Sequence, residues 1–199
     1  MTKWGKFFDK KIKEIAREKI ILDIGGGSGF TKQLARHKKY FANSYYRSLD
    51  IDPKTNPDIV ADAHHLPFEN ESIDAIICKV VLEHVKEPHQ VVEEIYRVLK
   101  PGGKCFVYLP FLYRYHGFGT SFEDYYRFTQ DGVEYLFRKF SKIEICPVRG
   151  YFETVAYLLP HQSKFPINIL IFSARLLDKI LGRYQSKKQA SGFNVFLVK

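Results

Sequence analysis

The stretch ILDIGGGSGF, Ile21 to Phe30, sets four glycines and a serine directly behind an apolar run that ends in an aspartate. An apolar run of that length is a buried strand, and the FTKQLARHK that follows has the spacing of a helix. Strand, glycine turn and helix in direct succession commit a chain to an α/β architecture. Glycines at such a junction let backbone N–H groups approach a ligand that a side chain would keep away.

The same alternation runs along the rest of the chain. YYRSLDID predicts a second strand ending at Asp50 or Asp52, and DIVADA a third ending near Ala63. SIDAIICKVV (Ser72 to Val81) predicts a fourth strand. EPHQVVEEIYRVL places Val91, Val92, Ile95, Val98 and Leu99 on one helical face, with Pro101–Gly103 expected to end that helix. KCFVYLP predicts a fifth strand, TQDGVEYLFRKF a helix with Thr129 as its N-cap, KIEICPV a sixth strand and FNVFLVK a seventh. Strands and helices in this rhythm make a mostly parallel sheet covered on both faces, with ligands expected where the carboxyl ends of the strands meet a crevice.

Only Tyr151 to Gln189 breaks the rhythm. Ile169, Phe172, Leu176 and Ile180 recur there at helical spacing, in an apolar run about half the length a membrane span needs. Two readings stand: a helix capping the sheet or the active site, or an interfacial helix covering a lipid-like substrate.

Composition bounds the remaining choices. At 199 residues the chain is about one domain by length, and 45% apolar content suffices for a core without staples. Cys78, Cys105 and Cys146 are odd in number, far apart and in no paired spacing, so neither a disulfide framework nor a zinc site is indicated. The formal charge of +9 is densest in the first helix, at Lys3, Lys6, Lys10, Lys11, Lys13, Arg17 and Lys19. That cluster predicts a solvated basic face, with an anionic membrane surface or an acidic substrate as alternatives. Trp4, Phe8, Ile12 and Ile15 mark the opposite, apolar face. The N-terminus lacks the unbroken apolar core of a signal peptide, so a cytoplasmic location is expected, with peripheral contact at the inner membrane face as the alternative.

The glycine spacing separates the nucleotide binders. A dinucleotide fingerprint needs glycine at position 30 or 32, where the chain has Phe30 and Lys32, and no Gly-Lys-Ser/Thr ending follows for a phosphate loop. What remains is Asp23-x-Gly25-x-Gly27-x-Gly29, with Gly26 between. This motif resembles that of the class I S-adenosylmethionine-dependent methyltransferases, and the type 11-like members in particular. The resemblance implies a Rossmann-like, seven-stranded, mostly parallel sheet with helices on both faces and an extra helical insertion before the last strand. It implies one methyltransferase domain over residues 1–199, with an N-terminal basic helix at 1–18 and a helical insertion or cap at 151–189. The implied cofactor is S-adenosyl-L-methionine, with S-adenosyl-L-homocysteine as product.

By the same resemblance Asp50 accepts from the ribose hydroxyls, Ile51 gives the adenine an apolar face, and Asp62 and Ala63 meet the adenine edge. Lys79 and Val80 lie near the sulfonium. Asp52 is the competing register for the ribose acid. The match runs in order from about Lys19 to Val148.

Methyl transfer from a sulfonium needs alignment and desolvation, a base only for a poor nucleophile, and no metal. None is expected, since His37, His89 and His161 lack a partner at ligand spacing. Glu83 and His84 follow strand four and border the methyl group; His84 is either a base or a loop residue packed behind the cofactor. The segment PFLYRYHGFGTSFEDYYRFT concentrates Tyr113, Arg114, Tyr115, His116, Asp124, Tyr125, Tyr126 and Arg127 after strand five. His84, His116, Tyr126 and Arg127 are the catalytic candidates; an ordered lid in which Asp124 pairs with Arg127 is the other reading.

DYYRFT resembles a methyltransferase subgroup found with polysaccharide and glycan biosynthesis proteins, implying a small-molecule, sugar or lipid-linked acceptor methylated at oxygen. Two other functions are weighed: a cofactor-binding scaffold without turnover, and an RNA or DNA methyltransferase. The Asn/Asp-Pro-Pro-Tyr/Phe motif of amino-methylating nucleic-acid enzymes is absent after strand four, which argues against nucleic acid.

Overall fold

A computed structural model describes residues 1–117, 122–159, 167–181 and 188–199. His161, the start of the apolar run at Phe165 and the centre of the glycine-punctuated segment lie outside the described residues. Helix α1 (Lys3–Ile15) precedes β1 (Ile20–Ile24), a 3₁₀ helix (Lys32–Phe41), β2 (Tyr45–Asp50), β3 (Ile59–Val60) and β4 (Ile73–Lys79). Then follow α2 (Pro88–Val98), β5 (Leu99–Pro110), α3 (Gln130–Leu136), β6 (Lys142–Val148), α4 (Tyr151–Leu158), α5 (Ile167–Ile180) and β7 (Gly192–Val198).

The strands form one seven-stranded sheet in the order β3-β2-β1-β4-β5-β7-β6. β1 pairs parallel with β2 and β4, and β7 runs antiparallel between β5 and β6. The strand order therefore reverses between β1 and β4, which opens a crevice at their carboxyl ends.

Two-residue periodicity divides the core between the faces. Ile21, Ala75, Ile77, Phe106 and Phe196 pack with Phe8, Ile12 and Ile15 of α1 and with Leu34 and Phe41 of the 3₁₀ helix. Leu22, Ile24, Ile76, Cys78, Val107 and Val195 pack on the other side with Val91, Ile95 and Val98 of α2 and Val133 of α3. A sheet covered on both faces needs apolar side chains at consecutive positions, hence the runs Ile20–Leu22 in β1 and Ala75–Cys78 in β4. Each fully buried Ile or Phe contributes roughly 1.5–3 kcal/mol by transfer from water. At α3, the Thr129 hydroxyl accepts from Gly132 N at 3.1 Å, as an N-cap should.

The structure corrects several expectations. The segment after the glycine loop is helical as the spacing predicts, but in the tighter 3₁₀ form, with no acidic residue in its first turn and no side-chain capping bond from Thr31. β3 is two residues long, because the flanking acids are engaged elsewhere: Asp58 accepts from Ser48 N at 2.8 Å and Asp62 from His64 N at 2.9 Å. Pro101–Gly103 lies inside β5, as a bulge opposite Asp74 where the register slips, while α2 has already ended at Val98. Lys11, counted with the solvated basic face, is buried: its Nζ lies 2.8 Å from Glu144 and 3.9 Å from the Phe196 ring centre. The other basic residues of that cluster are exposed.

The α4–α5 pair is held by a polar clasp. Asp178 of α5 accepts from Phe152 N and Glu153 N at 2.9 and 3.0 Å, supplying the N-terminal cap that Gly150 cannot. A Cβ on Gly150 would stand 2.3 Å from the Asp178 carboxyl carbon, so the clasp requires glycine there. Arg175 pairs with buried Glu153 at 2.8 Å. With the polar groups turned inward, the apolar stripe faces solvent: Ile169, Phe172 and Ile180 are 64%, 71% and 65% exposed.

Candidate cofactor and acceptor site

A cavity of about 560 Å³ occupies the crevice at the ends of β1, β2 and β4. The glycine loop forms its floor. Gly25 has φ +69°, and a Cβ there would meet Val81 Cγ2 at 2.3 Å, so both backbone and packing exclude a side chain. Asp23 beneath it is buried and accepts from the Tyr46 hydroxyl. Burial pushes its carboxyl up to about 6, against the pull of that bond and of nearby Lys79.

Asp50 sits at the end of β2 with one oxygen accepting from Gly27 N at 3.2 Å and the other from Asp52 N at 3.1 Å. Asp50 lines the cavity, and each oxygen has capacity to accept a further hydrogen bond. Asp52 instead caps the next turn, accepting from Lys54 N at 2.9 Å. Ile51 lies beside Asp50 with 64% of its surface exposed, an apolar platform at the cavity edge. Asp62 accepts from His64 N and lies 2.6 Å from His64 Nδ1; although burial raises its carboxyl, these bonds hold it below the usual range. Ala63 is buried behind it.

Val80, just past β4, has φ +58°, a left-handed conformation that is a true outlier for a β-branched residue. Such strain costs on the order of 1–3 kcal/mol and clusters at functional sites. Val80, Lys79 and His116 line both the first cavity and a second one of about 290 Å³. Trp4, Tyr108, Tyr113, Val148, Arg149 and Asn194 also line the second. Two donors there, Trp4 Nε1 and Arg149 Nε, are buried without a hydrogen-bond partner among the described residues. Burial pushes the Tyr108 hydroxyl up to about 12.

Glu83, His84 and His116 meet at the junction of the two cavities. Glu83 is fully buried, and among the described residues neither of its oxygens reaches a hydrogen-bond partner on another residue. Burial pushes its carboxyl up to about 8; its own backbone amide lowers it only in part, and the Asp124 carboxylate adds to the rise. Burial also lowers His84, with the Glu123 carbonyl as partial offset.

The segment after β5 is tied over this junction by its backbone: Tyr125 N and Tyr126 N donate to the Glu83 carbonyl at 2.8 and 3.2 Å. Arg127 grips both Asp124 oxygens and donates to the Arg114 carbonyl at 2.9 Å. Its guanidinium bonds hold Asp124 down to about 2, although burial works the other way. The Tyr126 hydroxyl donates to the Lys86 carbonyl at 2.7 Å.

Asp23, Gly25, Gly26, Gly27, Asp50, Ile51, Asp62, Ala63, Lys79, Val80, His84 and His116 thus all line the first cavity. Gly29 does not; a Cβ there would meet the Tyr46 ring at 3.1 Å. Tyr126 and Arg127 line neither cavity and instead shape the strap that carries His116. Trp4 and Arg149 carried no functional signal in the sequence, since the first reads as one apolar position of a helix and the second as a strand-end cation. His37, which had no partner at ligand spacing, lies 3.0 Å from Asp9 of α1.

A doubly wound sheet with its glycine loop at the reversal point, an acid at the end of β2 and no phosphate loop defines a protein that binds a nucleoside cofactor lacking a phosphate grip. The residues fit S-adenosylmethionine: a carboxylate with free lone pairs for a diol, an apolar ledge for a base, and a loop of backbone groups for an amino-acid moiety. Residues 22–107 match the family described as "Methyltransferase domain". The chain thus has the fold of the class I S-adenosylmethionine-dependent methyltransferases, with the family match confined to residues 22–107.

It is 33% identical to the demethylmenaquinone methyltransferase of Thermotoga maritima over 114 residues, 53% of this chain and 49% of that protein. It is 28% identical to the ubiquinone biosynthesis O-methyltransferase of Hydrogenovibrio crunogenus over 110 residues, 50% of this chain and 45% of that one. The match therefore spans just under half the length of these two relatives. A crystal structure of a SAM-dependent methyltransferase from Archaeoglobus fulgidus superposes with a TM-score of 0.63, covering 98% of this chain and 92% of that one. At 12% identity that likeness speaks for the fold alone.

Proposed function

We propose that this chain transfers the methyl group of S-adenosylmethionine to an oxygen of an apolar or lipid-linked acceptor seated in the second cavity. Bound in the first cavity, the cofactor supplies a methyl carbon already activated on sulfur. Transfer breaks the S–CH₃ bond, forms an O–CH₃ bond and releases the hydroxyl proton to solvent, leaving S-adenosylhomocysteine. The observation that carries this reading is the shared wall: Lys79, Val80 and His116 face both cavities, so two bound molecules would meet there.

The chain's own part is alignment and desolvation. Trp4 Nε1 and Arg149 Nε are unspent donors in an aromatic-walled cavity, suited to a carbonyl, phenolate or other oxygen on the acceptor. The relatives named for quinone biosynthesis fit that chemistry. The outward apolar stripe of α5 supports collection of the acceptor from a membrane surface. Among the described residues no helix is long and apolar enough to cross a membrane.

The test is isothermal titration with S-adenosylmethionine, then a screen of hydroxylated quinones, phenols and lipid-linked sugars for S-adenosylhomocysteine release. Micromolar cofactor binding with turnover on one class is expected. Tight cofactor binding with no turnover on any acceptor would favour a scaffold instead.

A further inference from the structure

We infer that Glu83, His84 and His116 form a binding site for one divalent transition-metal ion at the junction of the two cavities. One ligand atom from each residue lies within 4.8 Å of the other two. Glu83 Oε1 is 3.6 Å from His116 Nε2 and 4.0 Å from His84 Nε2. Metal–ligand bonds of about 2.0–2.2 Å place neighbouring ligand atoms roughly 3–3.5 Å apart, so small side-chain rotations close the set.

Three further features point to a cation rather than to chance proximity. Glu83 is a carboxyl group with no exposed surface and, among the described residues, no hydrogen-bond partner on another residue for either oxygen, an arrangement costly to keep ionised without a compensating charge. Both imidazoles turn their other nitrogen to an acceptor. His84 Nδ1 lies 2.5 Å from the Glu123 carbonyl, and His116 Nδ1 lies 3.2 Å from the Arg114 carbonyl and 3.3 Å from Asp124 Oδ2. An acceptor at Nδ1 puts the proton there and leaves Nε2 with its lone pair facing Glu83, as metal-binding histidines are usually set. Arg127 Nη2 also approaches His116 Nδ1, at 3.5 Å, but it already donates to Asp124 and Arg114 at shorter range.

Finally, the three ligands are braced. His84 packs edge-on against Phe122 and His116, and His116 against Tyr113, while the strap's amides are bonded to the Glu83 carbonyl itself. Two imidazoles and a carboxylate suit Zn(II), Fe(II), Co(II) or Mn(II) and leave coordination positions open.

The site's use rests on the reading above: an acceptor oxygen bound to the ion would sit beside Val80, and the ion would favour its deprotonated form. In this arrangement His84 and His116 act as ligands and not as bases. The experiment uses untagged full-length chain, stripped with a chelator and titrated with Zn(II) by calorimetry and with Co(II) by visible absorption. One ion per chain is expected, with affinity lowered about 100-fold in Glu83→Gln and in His116→Ala, both checked for a cooperative melt. Absence of stoichiometric binding, or equal binding in both variants, would overturn the inference. S-adenosylmethionine titrated in parallel separates the two ideas: cofactor binding without metal binding defeats the metal site alone, whereas metal binding without cofactor binding supports the site and defeats the methyltransferase reading.

Discussion

The two halves of the sheet are built by different rules. The β1–β4 half draws its cavity from strand ends and the turns directly behind them: Gly25, Asp50, Asp62 and Val80 each lie within three residues of a strand terminus. The β5–β7 half draws its cavity from Trp4, Tyr108, Arg149 and Asn194, with Asn194 Nδ2 donating to the Trp4 carbonyl at 3.4 Å across 190 positions. The first is specified locally and the second by assembly. A common cofactor can be met by repeating a local motif, while an acceptor pocket changes whenever distant elements shift.

Several substitutions sharpen or break that contrast. The largest effect is expected for Gly25→Ala, which forces a left-handed alanine and a clash with Val81. Left-handed strain and overpacking together should cost about 2–5 kcal/mol in urea unfolding, and Val81→Ala should restore part of it. An unchanged midpoint would mean the loop is not locally constrained.

Next is the buried Asp23. Its folded pKa, about 6, lies above the ordinary aspartate value of 3.8, so the folded state binds the proton more tightly. The advantage of the protonated form is fully present below about pH 4 and is lost as pH rises through about 6. The span is on the order of 3 kcal/mol. Asp23→Asn should flatten that slope in unfolding measured across this window; a slope that survives would assign it to other groups.

Asp50→Ala should weaken S-adenosylmethionine binding about 100-fold, roughly 2.7 kcal/mol, with stability nearly unchanged. Near-normal affinity would move the ribose contact to Asp52. Trp4→Phe is the matching probe of the other half. Acceptor KM should rise about tenfold, or 1.4 kcal/mol, while cofactor affinity stays put. If both quantities move together, the two cavities are not separable.

The smallest effect on stability, within about 0.5 kcal/mol, is expected for Phe172→Ser on the solvent side of α5. Co-sedimentation with anionic vesicles should nonetheless fall. Equal sedimentation would place any membrane contact elsewhere.

Much of the first half was legible in the residues, because apolar runs, glycine spacing and acids at strand ends are local signals. Errors there came from competition between neighbours. β3 shrank because Asp58 and Asp62 turned to other partners, and Pro101–Gly103 became a bulge because Leu99 pairs with Ile73 and Lys104 with Ala75 of β4, with Gly102 N donating to the Lys199 carbonyl at 3.1 Å. Lys11 offers a different lesson. Its charge counted it with the solvated basic face, but the arrival of Glu144 and Phe196 made burial of that charge tolerable.

By itself the sequence determined the alternation of strands and helices, the glycine loop and the acids that border it, since backbone conformation and side-chain periodicity act over a few residues. Tertiary structure alone decided that Glu83 and His84 would face His116, and that Trp4 would share a cavity with Arg149. Those contacts depend on strand order and on where the strap after β5 crosses the crevice, and they are set by the packing free energy of the whole sheet.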